Sequence, residues 1–180
     1  MRDRTRFDEL ADAAERYGVC SLDNYAVIRS VAENISTGFC RFLGAEDGIC
    51  VYLVPPEGEW TPQPYQSGAF SVSGAGFLPL GAIGFGLAVK VSRTGDWTRL
   101  VLSCAKKGHH VEISIMNGPV FDLELPVEDA DLTTVFERLH THLIAWFSDQ
   151  ADLYENGDYG GRMIGFELVH AEPGAGPGAG

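Results

Sequence analysis

The run WTRLVLSCAKKGHHVEISIMNGPVFDLEL, Trp97–Leu125, decides the fold. Thr98, Leu100, Leu102 and Cys104 alternate with Trp97, Arg99, Val101 and Ser103, the period of two that a half-buried strand requires. Lys106-Lys107-Gly108 reads as a polar hairpin turn, after which Val111, Ile113 and Ile115 alternate with His110, Glu112 and Ser114. Asn117-Gly118 then offers the left-handed pair of a tight hairpin, and Phe121, Leu123 and Leu125 alternate with Asp122 and Glu124 on the return. One face is apolar and the other acidic, so the segment predicts an antiparallel meander with one side on a core and one toward water.

Upstream, Ile83 to Val91 turns through Arg93–Asp96 into this run, extending the meander by a strand. The stretch Gly74–Val91, GAGFLPLGAIGFGLAVKV, is glycine-rich. It does not make a dinucleotide fingerprint, because Pro79 stands where the third glycine is needed and no helix pattern follows. Glycine within a strand pattern instead predicts a bend or close backbone packing, with a ligand-contacting wall as the alternative. Earlier still, ICVYLV (Ile49–Val54) reads as a strand broken by Pro55 and Pro56, which lack ladder donors. The loop from Pro55 to Gly68 carries Trp60 and Tyr65. Such rings either fold back over the core or stand out as a protein-binding element.

Helices flank the strands. Phe7, Leu10, Ala11, Ala14 and Tyr17 recur at helical spacing and Gly18 predicts a stop. A second helix, Asn24 to Leu43, carries Ile28, Val31, Ala32, Ile35, Phe39, Phe42 and Leu43 on one face and ends at Gly44. A third opens behind Glu128, Asp129 and Asp131, which suit the positive end of the dipole. It presents Leu132, Val135, Phe136, Leu139, Leu143, Trp146 and Phe147 as a broad apolar stripe, and Asn156-Gly157 closes it. Met163–Val169 reads as a last strand and AEPGAGPGAG as a disordered tail. The expected architecture is therefore α+β: a mostly antiparallel meander of five or six strands, two N-terminal helices, and one long C-terminal helix packed on the sheet. Residues 1–170 form one domain and 171–180 a Gly/Pro/Ala tail.

At 180 residues, with 45% hydrophobic and 21% charged content, the chain matches an ordinary folded domain that buries roughly 70% of its unfolded surface. A net charge of -12 argues against nucleic acid and anionic membrane partners, since phosphate neutralisation needs clustered cations. Arg2, Arg4 and Arg6 do cluster, but they alternate with Asp3 and precede Asp8 and Glu9, as in a solvated helix start. The chain shows neither a signal-peptide pattern nor an apolar run of membrane-spanning length, so the expected location is cytoplasmic. Cys20, Cys40, Cys50 and Cys104 have no metal-ligand spacing, and in that compartment all four are expected to be buried, reduced thiols.

No complete catalytic constellation emerges. Cys104 with His109 or His110, near Lys106 and Lys107, has the composition of an activated thiol, yet its alternation with Leu100 and Leu102 predicts burial. Ser71, Ser73 and Ser103 lie outside any nucleophile elbow. His109 and His110 are adjacent on a strand and point apart. His140 and His142 lie about 200° apart on a helix, so neither pair holds a metal, and no cofactor is implied. Glu112, Asp122 and Glu124 make an acidic sheet face that, together with Asp152, Glu155, Asp158 and Glu167, either is simply solvated or meets a basic partner segment.

The expected function is a non-catalytic protein-binding or adaptor domain, self-associating as a homodimer or taking a protein partner, with Trp60, Tyr65, Glu112, Asp122 and Glu124 as contacts. In size, charge and helices on an antiparallel meander it is similar to small acidic secretion chaperones, with no shared motif. The alternative is a small-molecule-binding protein or enzyme. Its pocket would lie between the long helix and the glycine-rich strand, with Tyr65, His110, His140 and Arg162 supplying polar contacts.

Overall fold

The computed structural model describes residues 4–45, 47–72, 78–158 and 167–171. Two long helices lie on one side of a six-stranded antiparallel sheet. In chain order the elements are α1 (Arg6–Leu43), β1 (Val51–Val54), a 3-10 turn (Ser67–Ala69), β2 (Ile83–Lys90), β3 (Asp96–Lys107), β4 (His110–Ile115), β5 (Val120–Glu124), α2 (Asp129–Glu155) and β6 (Leu168–His170).

The two predicted N-terminal helices are one. Gly18 does not stop α1, because a glycine inside a helix costs only about 1 kcal/mol and contacts on both sides of it carry the helix through. Tyr17 donates to the Leu78 carbonyl, and Asn24 donates through Nδ2 to the Pro79 and Gly81 carbonyls, both at 3.0 Å. The helix starts at Thr5, whose side chain and Asp8 form a reciprocal capping box, and these bonds hold the Asp8 carboxyl below its ordinary range. It ends at Gly44, which is left-handed at φ 65° and returns its N–H to Cys40 and Arg41, the αL cap that frees a helix from its last turn.

The strands run β1-β2-β3-β4-β5, and β6 pairs with β3 at Asp96–Thr98, on the side that β4 occupies from Leu102 onward. The predicted alternation sets the faces. Leu100, Leu102 and Cys104 are buried toward the helices with Ile83, Phe85, Leu87 and Val89 of β2 and Val111, Ile113 and Ile115 of β4. On that layer lie Ile28, Val31, Ala32, Ile35 and Phe39 of α1 and Leu132, Val135, Phe136, Leu139 and Leu143 of α2.

The turns are tighter or looser than expected. Lys106 and Lys107 are the last residues of β3, and Lys107 pairs with His110, so Gly108 and His109 alone make the turn. Gly108 at φ 63° meets the need of a two-residue hairpin for a left-handed residue. At the next hairpin only Asn117 is left-handed (φ 59°) and Ile115 N–H reaches Pro119 O, which leaves a three-residue loop instead of the Asn-Gly pair. Met116 donates to the Val101 carbonyl there, and this extra bond to β3 holds the wider loop.

The last strand falls at the end of the expected Met163–Val169 segment. The structure describes it as Leu168–His170, and residues 163–166 lie outside the described residues, as do 172–180 of the predicted tail.

Candidate functional site

The sheet's second face is where polar chemistry collects. Side chains of β2 on this face are Gly84, Gly86 and Ala88, so the chain leaving β1 can cross close above them. A Cβ on Gly86 would stand 2.9 Å from the Val54 oxygen and 3.0 Å from that of Pro55, which realises the close packing that the glycine pattern predicted. The loop brings Trp60 down onto Val54, Ala88 and Trp97, and Tyr52 stacks on Trp97 at 5.5 Å. Trp60 is only 5% exposed. It is a lid on a second small core, the folded-back alternative expected for this ring: the apolar β2–β3 surface offers it more burial than solvent does.

Arg99 of β3 lies beneath this lid. Its guanidinium donates to the carbonyls of Pro55 (2.9 Å) and Gly58 (3.0 Å), sits 5.5 Å from the Trp60 ring centroid, and pairs with Glu167 at 3.0 Å. Trp60 Nε1 donates to the same Glu167 oxygen at 3.0 Å. A cation over an indole face, with both donating to one carboxylate oxygen, is a preformed carboxylate seat. Its parts differ in burial: the Arg99 side chain is 11% exposed and that of Glu167 57%.

Beside the seat, Asp96 accepts from Ser92 at 2.6 Å and from Thr94, and pairs with His170 Nδ1 at 3.0 Å. The Ser92 hydroxyl first, then His170, holds the Asp96 carboxyl below its usual range. Ala171 N–H donates to the Gly95 carbonyl, and a Cβ on Gly95, whose φ is 102°, would meet the Ala171 oxygen at 2.4 Å. The three-residue strand β6 is thus held at both ends by side chains and by close backbone approach.

The expected acidic face exists but is partly neutralised. Glu112 lies opposite Asp122 and His110 opposite Glu124. Like charges across a ladder repel, and Lys107 Nζ, 2.6 Å from Glu112, offsets this. His110 stands half-exposed on this outer face, 4.0 Å from Asp122.

Of the four residues expected to line a ligand pocket, the three described ones, Tyr65, His110 and His140, are not brought together. His140 lies on α2 over the opposite face, edge-on to Phe42 at 6.3 Å; Tyr65 packs half-buried between the two apolar clusters; and Arg162 lies outside the described residues. The β2 side chains on the helix face, Ile83, Phe85, Leu87 and Val89, are all buried in the core, and the helix that contacts β2 is α1. Two surface hollows lie elsewhere. One of about 930 Å³ is bordered by Asp47, Lys90 and Arg93, and one of about 460 Å³ by Cys20, Asp23 and Lys106. Their lysines are already engaged, Lys90 with Asp47 and Lys106 with Asp23.

Cys40 and Cys50 are joined as a disulfide, which corrects the expectation of four reduced thiols. The end of α1 and the approach to β1 bring their Cα atoms to 5.3 Å, a separation that a disulfide bridges. Cys20 is exposed, so it too departs from the expected buried set, whereas Cys104 is buried on the helix face of β3 and far from a nucleophile's setting. Burial pushes the Cys104 thiol up to about 12. Iodoacetamide is therefore expected to label Cys20 alone in the native protein, Cys104 only on unfolding, and Cys40 and Cys50 only after reduction, as read by mass. The stability that the neutral Cys104 thiol brings is complete below its ordinary value of 9.0 and is lost as pH rises toward about 12, since the unfolded chain ionises first.

Arg99, Asp96 and His170 were not among the residues singled out from the sequence, and Glu167 was singled out only as one carboxylate of an acidic surface. The available signal was an arginine opposite apolar neighbours on β3, next to Trp97; nothing local tied it to Glu167, which is 68 positions away. Among the described residues no helix is long and apolar enough to cross a membrane, and no group of His, Cys, Asp or Glu side chains could hold a metal ion. The chain matches no protein-family model, no curated protein and no solved structure.

Proposed function

We propose that this is a non-catalytic protein-binding domain that self-associates through the N-terminal half of α1. The supporting observation is the continuity of one helix face. At 100° per residue, Phe7, Leu10, Ala14 and Tyr17 fall on the same side as Ser21, Ile28, Ile35 and Phe39. From Ser21 onward that side is buried on the sheet, whereas Phe7 is 74% and Leu10 67% exposed. From Arg6 to Arg16 about 16 Å of helix, at 1.5 Å per residue, therefore carries a core-type stripe that no core cluster of the described residues covers. Exposed apolar surface of that kind marks an interaction site, and a second copy offers a matching stripe through a two-fold axis. The acidic body favours a single defined interface over non-specific association.

Leu10→Glu is expected to convert a dimer into a monomer in light scattering, and to lower the melting temperature only by what self-association contributes at the concentration used. A wild-type chain that is strictly monomeric and retains no protein from a lysate of its source overturns the reading. Cytoplasmic residence remains part of the proposal, although the Cys40–Cys50 bond favours an oxidising setting. Four free thiols in the denatured protein taken from its source would support the cytoplasm, and two would reject it.

A further inference from the structure

We propose that the β3 edge at Asp96–Thr98, with the Arg99–Trp60 seat, is a binding site for an extended peptide segment of a partner protein, and that β6 occupies it in cis. The segment it fits carries a carboxylate, then an aliphatic residue two positions on, then a basic residue. The inference rests on the protein-binding reading and names a surface and partner chemistry for it.

The fixed half of each contact belongs to the body of the domain. Arg99 is held by the Pro55 and Gly58 carbonyls and lies by the Trp60 ring, contacts that do not involve Glu167. Both carbonyls are neutral, so the charge of a nearly buried guanidinium is balanced among the described residues by one carboxylate, that of the largely exposed Glu167. A desolvated cation without its counter-charge is unfavourable, so the seat selects a carboxylate. Asp96 is likewise fixed by Ser92 and Thr94 and offers its other oxygen to a base. Between them Val169 packs on the Trp60–Trp97 cluster.

The exchangeable half is three residues long, at the edge of the sheet. Its ladder is backbone pairing, Asp96 with His170 through Thr98 with Leu168, and any extended chain supplies that; side chains at alternate positions give the specificity. The net charge of -12 repels acidic chains at a distance. The favoured partner segment is therefore a single carboxylate set among neutral or basic residues.

The test uses full-length protein and a fluorescein-labelled peptide, GFELVHA, copying residues 165–171. In fluorescence anisotropy the peptide is expected to bind Glu167→Gln more tightly than wild type, because the cis strand of the variant has lost its grip on Arg99. Changing the glutamate of the peptide to glutamine is expected to weaken binding about 10- to 100-fold, the range for a hydrogen bond to a charged group. Asp96→Asn is expected to remove the preference for histidine over alanine at the peptide's sixth position. Equal binding of the glutamate and glutamine peptides, or no binding to Glu167→Gln, overturns the proposal. Light scattering of the same variant separates the two readings: a dimer that binds no peptide defeats this site and leaves the α1 interface standing.

Discussion

Gly86→Val is expected to lower the melting temperature by roughly 5 to 10 °C, corresponding to about 3 kcal/mol for a domain of this size. The valine Cβ would lie 2.9 Å from Val54 Cγ2, 2.9 Å from the Val54 oxygen and 3.0 Å from the Pro55 oxygen. Two of these are backbone atoms, one in the strand paired with Gly86 and one in the residue just past its end, so relief requires β1 and the start of the loop behind it to move together. Pro55 O is also an acceptor for Arg99, which couples the displacement to the carboxylate seat and to the Trp60 lid. Gly84, two residues earlier on the same face, is the control. A Cβ there meets nothing closer than 3.5 Å, and Gly84→Ala is expected to be neutral or to stabilise by about 0.4–1 kcal/mol through the unfolded chain. Equal melting temperatures for the two variants in a thermal scan would refute this account of the crossing.

This glycine pair also marks how far the sequence could be read. The composition of Gly74–Val91 signalled close packing, but which glycine is required depends on where β1 ends and the chain crosses, a tertiary fact. The meander was legible because strand alternation is local: Leu100, Leu102 and Cys104 lie buried in the register their spacing predicted. The start of α2 was legible for the same reason, since Glu128 and Asp131 cap it within one turn. Gly18 misled because a local stop signal of about 1 kcal/mol was outweighed by contacts from Leu78, Pro79 and Gly81, more than 50 residues away. Cys40 and Cys50 are spaced by 10 residues, which says nothing about pairing until a helix end and a strand start converge. The carboxylate seat needed three segments, the loop at Trp60, β3 and β6, and no periodicity joins them.

The contact between the helices gives a prediction whose sign reverses with background. Phe136→Ala is expected to cost about 3–5 kcal/mol, the range for deleting a buried aromatic ring, because Phe136 packs 5.9 Å from both Phe39 and Phe42 and closes α2 onto α1. It can lie there only because position 38 is glycine. An alanine Cβ at Gly38 would stand 2.4 Å from Phe136 Cζ and 2.8 Å from Cε2, and a ring wedged between two others has little room to retreat. Helix propensity favours alanine over glycine by about 1 kcal/mol, so propensity alone makes Gly38→Ala stabilising. The steric term runs the other way, about 1–3 kcal/mol for overpacking, and in the wild-type chain it wins. With Phe136→Ala in place the clash is gone and only propensity remains, so adding Gly38→Ala to that variant is expected to raise its stability in urea unfolding. A double-mutant cycle therefore reads a coupling equal to the steric term, about 1–3 kcal/mol. Additive behaviour in the cycle would mean that α2 does not rest on α1 through this ring.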